Sequence, residues 1–193
     1  FLLYNSSVYT GLLERHGSFE RVENAGELHQ AFIDYISSDS ESRPTIEGYT
    51  DRELDHLYDV KRVIKGFYVA WWVALVVLIA SFLFLMITAP SLLKMVRRLF
   101  LFGGMGILGM GLVFILGALL FVPLFYVFHT LFFASGTWVF SSQDLLIRMY
   151  PLNFFRDYFI RIIIDSVLVG LVFVFIGWLL TFIKQNTSSK LYS

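Results

Sequence analysis

The fold is decided by residues 67–88, which read FYVAWWVALVVLIASFLFLMIT and contain no charged side chain. A helix that crosses a bilayer needs about 20 consecutive apolar residues, so this stretch is long enough to span. Two further stretches of that kind follow, at about 99–128 and about 159–183. The sequence therefore predicts an all-α, polytopic membrane protein with three visible spans.

The composition agrees with a membrane protein that has a polar N-terminal segment. Of the 193 residues, 57% are hydrophobic and 16% are charged, whereas soluble domains carry about 25% charged residues. Twelve of the 15 acidic residues precede Ile64. We therefore expect a helical cap at 1–63, a transmembrane bundle at 64–185 that includes an interfacial outer loop at 129–158, and a cytoplasmic tail at 186–193.

The composition also excludes several classes of function. The chain contains no cysteine, which excludes disulfides, cysteine zinc sites and thiol nucleophiles. The formal net charge is zero and no basic stripe is visible, which argues against a nucleic acid partner. Any nucleophile must therefore be an oxygen, a histidine nitrogen or part of the substrate.

Short motifs indicate where helices begin and pack. Asn24-Ala25-Gly26-Glu27 and Thr50-Asp51-Arg52-Glu53 both have the form of a capping box, and the helix after the second is expected to continue into the first span. Ser142 is placed to cap a helix that runs to Met149, before Pro151. Five glycines in the second span predict close approach of another helix; they are Gly103, Gly104, Gly106, Gly109 and Gly111.

Orientation and the start of the chain are linked questions. Lysines and arginines flank the spans on both sides, so the positive-inside count is indecisive. Residues 1–63 have no signal peptide ahead of them, and their translocation would need an upstream span. Phe1-Leu2-Leu3-Tyr4 resembles the end of one, so we expect a fourth, N-terminal span before Phe1.

A histidine and two carboxylates precede the first span. Residues three apart on a helix share a face, which places Glu53, His56 and Asp59 along one edge. A carboxylate beside a histidine fixes its tautomer and raises its basicity, as a general base requires. The same acids also suit a helix N-terminus, where they complement the helix dipole. Both interpretations stay open at this point, as does a metal site built from these three residues.

A second histidine, His129, ends the second span. Because consecutive spans return the chain to the same side, we expect His56 and His129 at one membrane surface. Tyr126 and Trp138 are candidates for shaping a pocket beside His129. The alternative for His129 and these two side chains is an aromatic belt at the membrane interface.

The residues around both histidines resemble a known family. Glu53-x-x-His56-Leu57-x-Asp59-Val60-Lys61 precedes the first span. Residues 128–133 (FHTLFF) follow the second span and lead through 136–140 (GTWVF) to 145–151 (LLIRMYP). In this order, each at a span boundary, the motifs resemble the bacterial membrane-protein family that contains lipoprotein intramolecular transacylase (Lit). The resemblance extends from about Leu54 to Asp157.

The resemblance implies a fold, a location and an activity. The family has four spans and an extracytoplasmic cap, and acts at the outer surface of the bacterial cell membrane. Its substrates are lipoproteins whose N-terminal cysteine carries a diacylglyceryl thioether. The enzymes move the sn-2 acyl chain from glycerol to the cysteine α-amine, which gives the lyso form, and this activity needs no cofactor or metal. The family's two motif histidines correspond to His56 and His129.

A mechanism follows from the resemblance together with the residues. His56, oriented by Asp59 or Glu53, is expected to remove a proton from the attacking amine, and His129 to donate to the developing oxyanion or the leaving glycerol oxygen. Two rival functions remain. One is a non-enzymatic membrane protein that binds lipids or lipopeptides, and the other is a metal-dependent hydrolase that uses His56, Asp59 and Glu53.

Overall fold

The computed structural model describes residues 6–189, and within that range all regular structure is helical. The helices are α1 (Ser6–Arg15), α2 (Ser18–Arg21), α3 (Ala25–Ser37), α4 (Asp51–Thr88), α5 (Leu92–Leu119), α6 (Phe121–Phe132), α7 (Leu145–Met149) and α8 (Leu152–Ser189). The predicted all-α class is confirmed.

Three of the described helices are long and apolar enough to cross a membrane. They are α4, α5 and the part of α8 from Leu152 to Phe182. Their apolar side chains are largely exposed on the protein, as for Ile87, which is 86% exposed. Such surfaces suit a lipid environment, because moving an apolar side chain from hydrocarbon into the protein interior brings no hydrophobic gain. The predicted three spans are confirmed.

The second apolar stretch, predicted as a single span, is divided in two. Helix α5 ends at Leu119, Leu120 leaves the helical conformation, and α6 begins at Phe121. Pro123 explains the break, because a proline ring clashes with the carbonyl four residues earlier, which belongs to Leu119. The span over 99–128 is therefore replaced by α5 and the short apolar helix α6.

The two predicted capping boxes have different outcomes. Glu53 accepts a hydrogen bond from the Thr50 main-chain N–H at 2.8 Å, and the Glu53 N–H donates to Thr50 Oγ1 at 3.4 Å, so this box is formed. Asn24 precedes α3 with a φ of 58° and makes no side-chain capping bond, so the box predicted there is wrong. Asparagine tolerates this left-handed backbone conformation. The chain therefore turns into α3 through its backbone and without a side-chain cap.

The chain folds as two compact units. Among the described residues, one unit contains 6–69 and 121–159, and the other contains 70–120 and 160–189. The core of the first unit includes Leu13 and Met149, both fully buried, and Ser18 Oγ donates to the Met149 carbonyl at 2.7 Å. Helix α2 is thereby fixed to α7. The expected cap and the expected outer loop thus share one core.

The second unit depends on close packing between α5 and α8. A Cβ built on Gly104 would lie 2.8 Å from the Val174 main-chain nitrogen, and one on Gly177 would lie 2.9 Å from the Leu101 main-chain nitrogen. Contacts this short leave no room for a side chain, so the two backbones touch. The close helix approach predicted from the glycines of the second span is present at Gly104 and Gly111.

The predictions for the two ends of the chain fall partly or wholly outside the described residues. The segment Phe1-Leu2-Leu3-Tyr4, interpreted above as the end of a further span, lies outside the described residues. The expected tail at 186–193 is helical as far as Ser189, and its last residues lie outside the described range.

Candidate active site

The first unit brings together the two histidines singled out in the sequence. His56 lies in the second turn of α4 and is 6% exposed. His129 lies near the end of α6 and is half-buried. Their rings are stacked, with centroids 6.1 Å apart and planes inclined by 22°. The two imidazoles therefore face a common space, although 73 positions separate them in the chain.

Aromatic side chains enclose this pair. Phe133 contacts both rings, with centroids 4.8 Å from His56 and 5.2 Å from His129. Phe140 lies 5.3 Å from His56, and Trp138 lies 5.0 Å from His129. His56 and Phe133 are buried, whereas the other members are half-buried, so these rings limit the access of water chiefly to His56. We refer to His56, His129 and these rings as the aromatic chamber.

Trp138 is a site residue predicted from the sequence, whereas Phe133 and Phe140 are site residues that only the structure reveals. Both lie inside the motifs on which the family resemblance rests. The available signal for Phe133 was its position four residues after His129, which places the two side chains on one helix face. Phe140 gave no such signal, because it reaches His56 only through the path of the loop.

A main-chain carbonyl fixes the tautomer of His129. Its Nδ1 lies 2.7 Å from the Phe125 oxygen, one helical turn earlier. A carbonyl can only accept, so Nδ1 carries the hydrogen and donates it. In the neutral ring Nε2 is then the free acceptor, and in the charged ring Nε2 is a free donor. His129 is thus held in one orientation with a single nitrogen left for chemistry.

His56 is held differently. Its Nδ1 is buried and has no hydrogen-bond partner, so neither predicted carboxylate orients the ring through that nitrogen. Asp59 is half-buried one turn further along α4. The orientation of His56 therefore comes from packing against Phe133 and Phe140.

Glu53 does not contact His56 as expected and binds main-chain and hydroxyl groups of other residues. It is 1% exposed, and both oxygens are engaged away from His56. Oε2 accepts from the main-chain N–H and the hydroxyl of Thr50, each at 2.8 Å, and Oε1 accepts from the Leu146 N–H at 2.7 Å. Leu146 lies in the first turn of α7, where main-chain N–H groups lack helical partners. Glu53 therefore joins the start of α4 to the start of α7.

Tyr126 and Trp138 occupy two successive positions outward from His129. Trp138 packs directly on the His129 ring, whereas Tyr126 contacts Trp138 edge-on with centroids 5.4 Å apart. Tyr126 is 53% exposed. The structure thus places Trp138 in the aromatic chamber and Tyr126 at its rim.

A third imidazole, His29, lies in the core of the first unit and outside the aromatic chamber. His29 Nδ1 lies 2.9 Å from the Tyr150 hydroxyl, and both side chains are buried. Burial lowers the pKa of His29 and raises the pKa of Tyr150 well above its usual value, because both lose the solvation of their charged forms. The pair is therefore neutral, and it links α3 to the residue that follows α7.

The described residues provide no metal-ligand cluster. No group of three histidine, aspartate or glutamate side chains is placed to hold a metal ion within the part of the chain that the structure describes. The set required by the hydrolase alternative does not assemble there, because the oxygens of Glu53 are bonded to Thr50 and Leu146.

Comparisons with known proteins identify the chain's relatives. The family described as "Lipoprotein intramolecular transacylase Lit" matches residues 4–155. A protein of Aquifex aeolicus (strain VF5), named only as uncharacterized, is 33% identical over 132 residues, which are 67% of this chain and 56% of that protein. The chain thus spans little more than half the length of this relative.

Solved structures agree with the fold. The membrane-integral lipoprotein intramolecular transacylase Lit from Bacillus cereus superposes with a TM-score of 0.79 at 16% identity, and the match covers 96% of this chain and 87% of that one. A variant of the same Bacillus protein, with a histidine replaced by arginine, superposes with a TM-score of 0.75 at 16% identity and covers 96% and 84%. At this identity the likeness establishes the fold.

Proposed function

This chain belongs to the lipoprotein intramolecular transacylase (Lit) family, and on that premise we propose that it is a membrane acyltransferase that forms lyso-form lipoproteins. Its substrate is a bacterial lipoprotein whose N-terminal cysteine carries a diacylglyceryl group. The enzyme moves the sn-2 acyl chain of that group to the α-amine of the same cysteine.

One observation carries this proposal. The rings of His56 and His129 stack 6.1 Å apart inside the aromatic chamber, and both histidines lie in the motifs on which the family resemblance rests. Two imidazoles this close together can accept and donate a proton on the same substrate. This proximity supports catalysis over the binding-only alternative, which gives the two rings no reason to meet.

The reaction needs no nucleophile from the protein. The attacking amine and the ester belong to one molecule, so attack closes a ring of about eight members, and the main requirement is orientation. A bond forms between the amine nitrogen and the acyl carbon, and the bond between that carbon and the sn-2 glycerol oxygen breaks. The amine loses a proton and the glycerol oxygen gains one, so the step is balanced without a co-reactant.

The two histidines divide the proton transfers. His56, buried and without a partner at Nδ1, takes the proton that the amine releases as it attacks. His129 donates from Nε2 to the leaving glycerol oxygen, while the Phe125 carbonyl stabilises its charged form through Nδ1. Two imidazolium rings at this separation would repel each other, so His129 gives up its proton as His56 takes one, and the proton then returns from His56 to His129 to complete the cycle.

The remaining candidates have supporting roles. Asp59 lies half-buried one turn beyond His56 on α4, and Glu53 acts through the main chain of α7. Trp138 forms part of the chamber wall and Tyr126 its rim. The acyl chains lie among membrane lipids, and the chamber faces the extracytoplasmic surface of a bacterial cell membrane.

Lipoprotein mass spectrometry tests the function in cells. The host strain lacks any lipoprotein N-acyltransferase of its own, and a lipoprotein N-terminus is compared with and without this protein. We expect one acyl group to move from the glycerol to the α-amine with the total mass unchanged. An unchanged diacylglyceryl-cysteine, with expression verified, would contradict the proposal and leave lipid or lipopeptide binding as the better function.

A further inference from the structure

One side of the aromatic chamber is built from a loop rather than from a helix. We call residues 134–144, between α6 and α7, the wall segment. It carries Trp138, which packs on His129, and Phe140, which packs on His56. The geometry of the chamber therefore depends on how this loop is held.

Arg52 holds the middle of the wall segment. Its Nη2 donates to the Gly136 carbonyl at 2.9 Å and also to the Val139 carbonyl. Its guanidinium carbon lies 5.1 Å from the centre of the Phe140 ring, a cation–π distance. The two carbonyls lie on either side of Trp138 in the chain, so one side chain fixes the loop around both wall aromatics.

Glu53, the next residue, holds the end of the same segment. It accepts the Leu146 N–H at 2.7 Å, directly after the wall segment gives way to α7. Arg52 and Glu53 lie one turn before His56 on the same helix. Because a helix is stiff over one turn, these bonds set the distance between the wall segment and His56.

We propose that Arg52 is a positioning residue for the acyl transfer, which holds Trp138 and Phe140 against the two histidines. This inference rests on the proposed function. Arg52 touches neither histidine and acts through the loop, so it does not take part in proton transfer. A planar guanidinium suits this role, since it donates in fixed directions and stacks on a ring at the same time, which a lysine ammonium does not.

The first test measures the wall segment without any substrate. Replacing Trp71, Trp72 and Trp178 by phenylalanine leaves Trp138 as the only tryptophan of the chain. In this background we expect Arg52→Gln to raise the acrylamide quenching constant of Trp138 about twofold, because the released loop exposes the indole. Arg62→Gln, an exposed arginine on the same helix that stacks near Tyr58, is the matched control and leaves quenching unchanged.

The second test measures catalysis with a synthetic diacylglyceryl-cysteine lipopeptide. We expect Arg52→Gln to lower kcat about tenfold to a hundredfold with a much smaller change in KM, as for a loss of orientation remote from the chemistry. Arg52→Lys is expected to recover only part of kcat. Arg62→Gln again serves as the control.

The outcomes separate this inference from the function on which it rests. Higher quenching together with a lower kcat supports the positioning role. Unchanged quenching in Arg52→Gln overturns it, and so does higher quenching with a kcat equal to that of the unsubstituted protein. If the unsubstituted protein is inactive, the transacylase function is refuted. If Arg52→Gln nevertheless exposes Trp138, the contact of Arg52 with the wall segment is supported independently of that function.

Discussion

Phe133 is the side chain on which both imidazoles rest. Its ring contacts His56 and His129 at 4.8 and 5.2 Å, and it is 8% exposed. His129 has a second restraint in its bond to the Phe125 carbonyl. His56 has no bond at Nδ1, so packing is what orients it.

Truncating Phe133 should therefore impair chemistry more than membrane insertion. We expect Phe133→Ala to lower the rate of acyl transfer about tenfold or more. Without this ring the His56 side chain can rotate, and restoring its reactive orientation adds to the activation free energy. Steady-state kinetics on detergent-purified protein measures this. The control is Phe132→Ala, which removes a neighbouring ring that is 47% exposed and packs on Phe67 and Phe128 instead. Equal rates for the two variants would contradict the role of Phe133.

His29 makes stability depend on pH. Burial lowers its pKa in the folded protein, so below its ordinary value of about 6.5 the unfolded chain binds a proton that the folded chain resists. The contribution to stability is present above that pH and is lost as the pH falls towards the lowered value. The slope is at most about 1.4 kcal/mol per pH unit.

Thermal unfolding of the purified protein checks this sign. We expect the fall in Tm between about pH 7.5 and about pH 5.5 to be larger for the unsubstituted protein than for His29→Gln, whose amide can still bond the Tyr150 hydroxyl without titrating. The difference between the two proteins isolates His29 from the other titrating groups. An equal fall in both would show that His29 does not set this pH dependence.

At the scale of elements, α5 and α8 are joined by backbone contact. A Cβ on Gly104 would meet the Gly170 carbonyl at 2.9 Å and the Val174 nitrogen at 2.8 Å. Main-chain atoms in helices cannot rotate away, so a methyl group here requires the helices to separate. Within lipid the hydrophobic effect does not hold α5 and α8 together, so their association depends on close packing.

A pair of alanine substitutions tests this packing. We expect Gly104→Ala to destabilise the protein by about 1–3 kcal/mol, the usual cost of an overpacked contact. Gly106→Ala is the matched control, because nothing lies within 4 Å of its added Cβ and alanine favours helix by about 1 kcal/mol over glycine. Thermal unfolding in detergent measures both. A Gly104→Ala protein as stable as Gly106→Ala would show that the backbones are not in contact.

For the whole molecule, the apolar stretches were enough to predict the helical class and its three spans. Hydropathy predicts one span over 99–128, because it does not include the backbone clash at Pro123 that divides the stretch. Glu53 was expected beside His56 because helical spacing places them together. Spacing within one helix says nothing about a distant N–H, and Leu146 is the group that Glu53 binds.

The candidate site was predictable only in part for the same reason. The pairing of His56 with His129 followed from the order of the spans, which is a property of the whole chain. The enclosure by Phe133 and Phe140 depends on the path of the wall segment, and that path is set by long-range bonds from Arg52 and Glu53. No local pattern in the sequence records bonds between residues so far apart in the chain.

The most direct test of the central claim follows the acyl chain itself. Purified protein is given a synthetic diacylglyceryl-cysteine lipopeptide with a deuterated acyl chain at the sn-2 position only, and the product is sequenced by tandem mass spectrometry. We predict that the label appears on the cysteine α-amine with the total mass unchanged, and that His56→Ala and His129→Ala yield none of this product although both insert in the membrane. A label that stays on the glycerol, or product from either variant at the unsubstituted rate, would contradict the account.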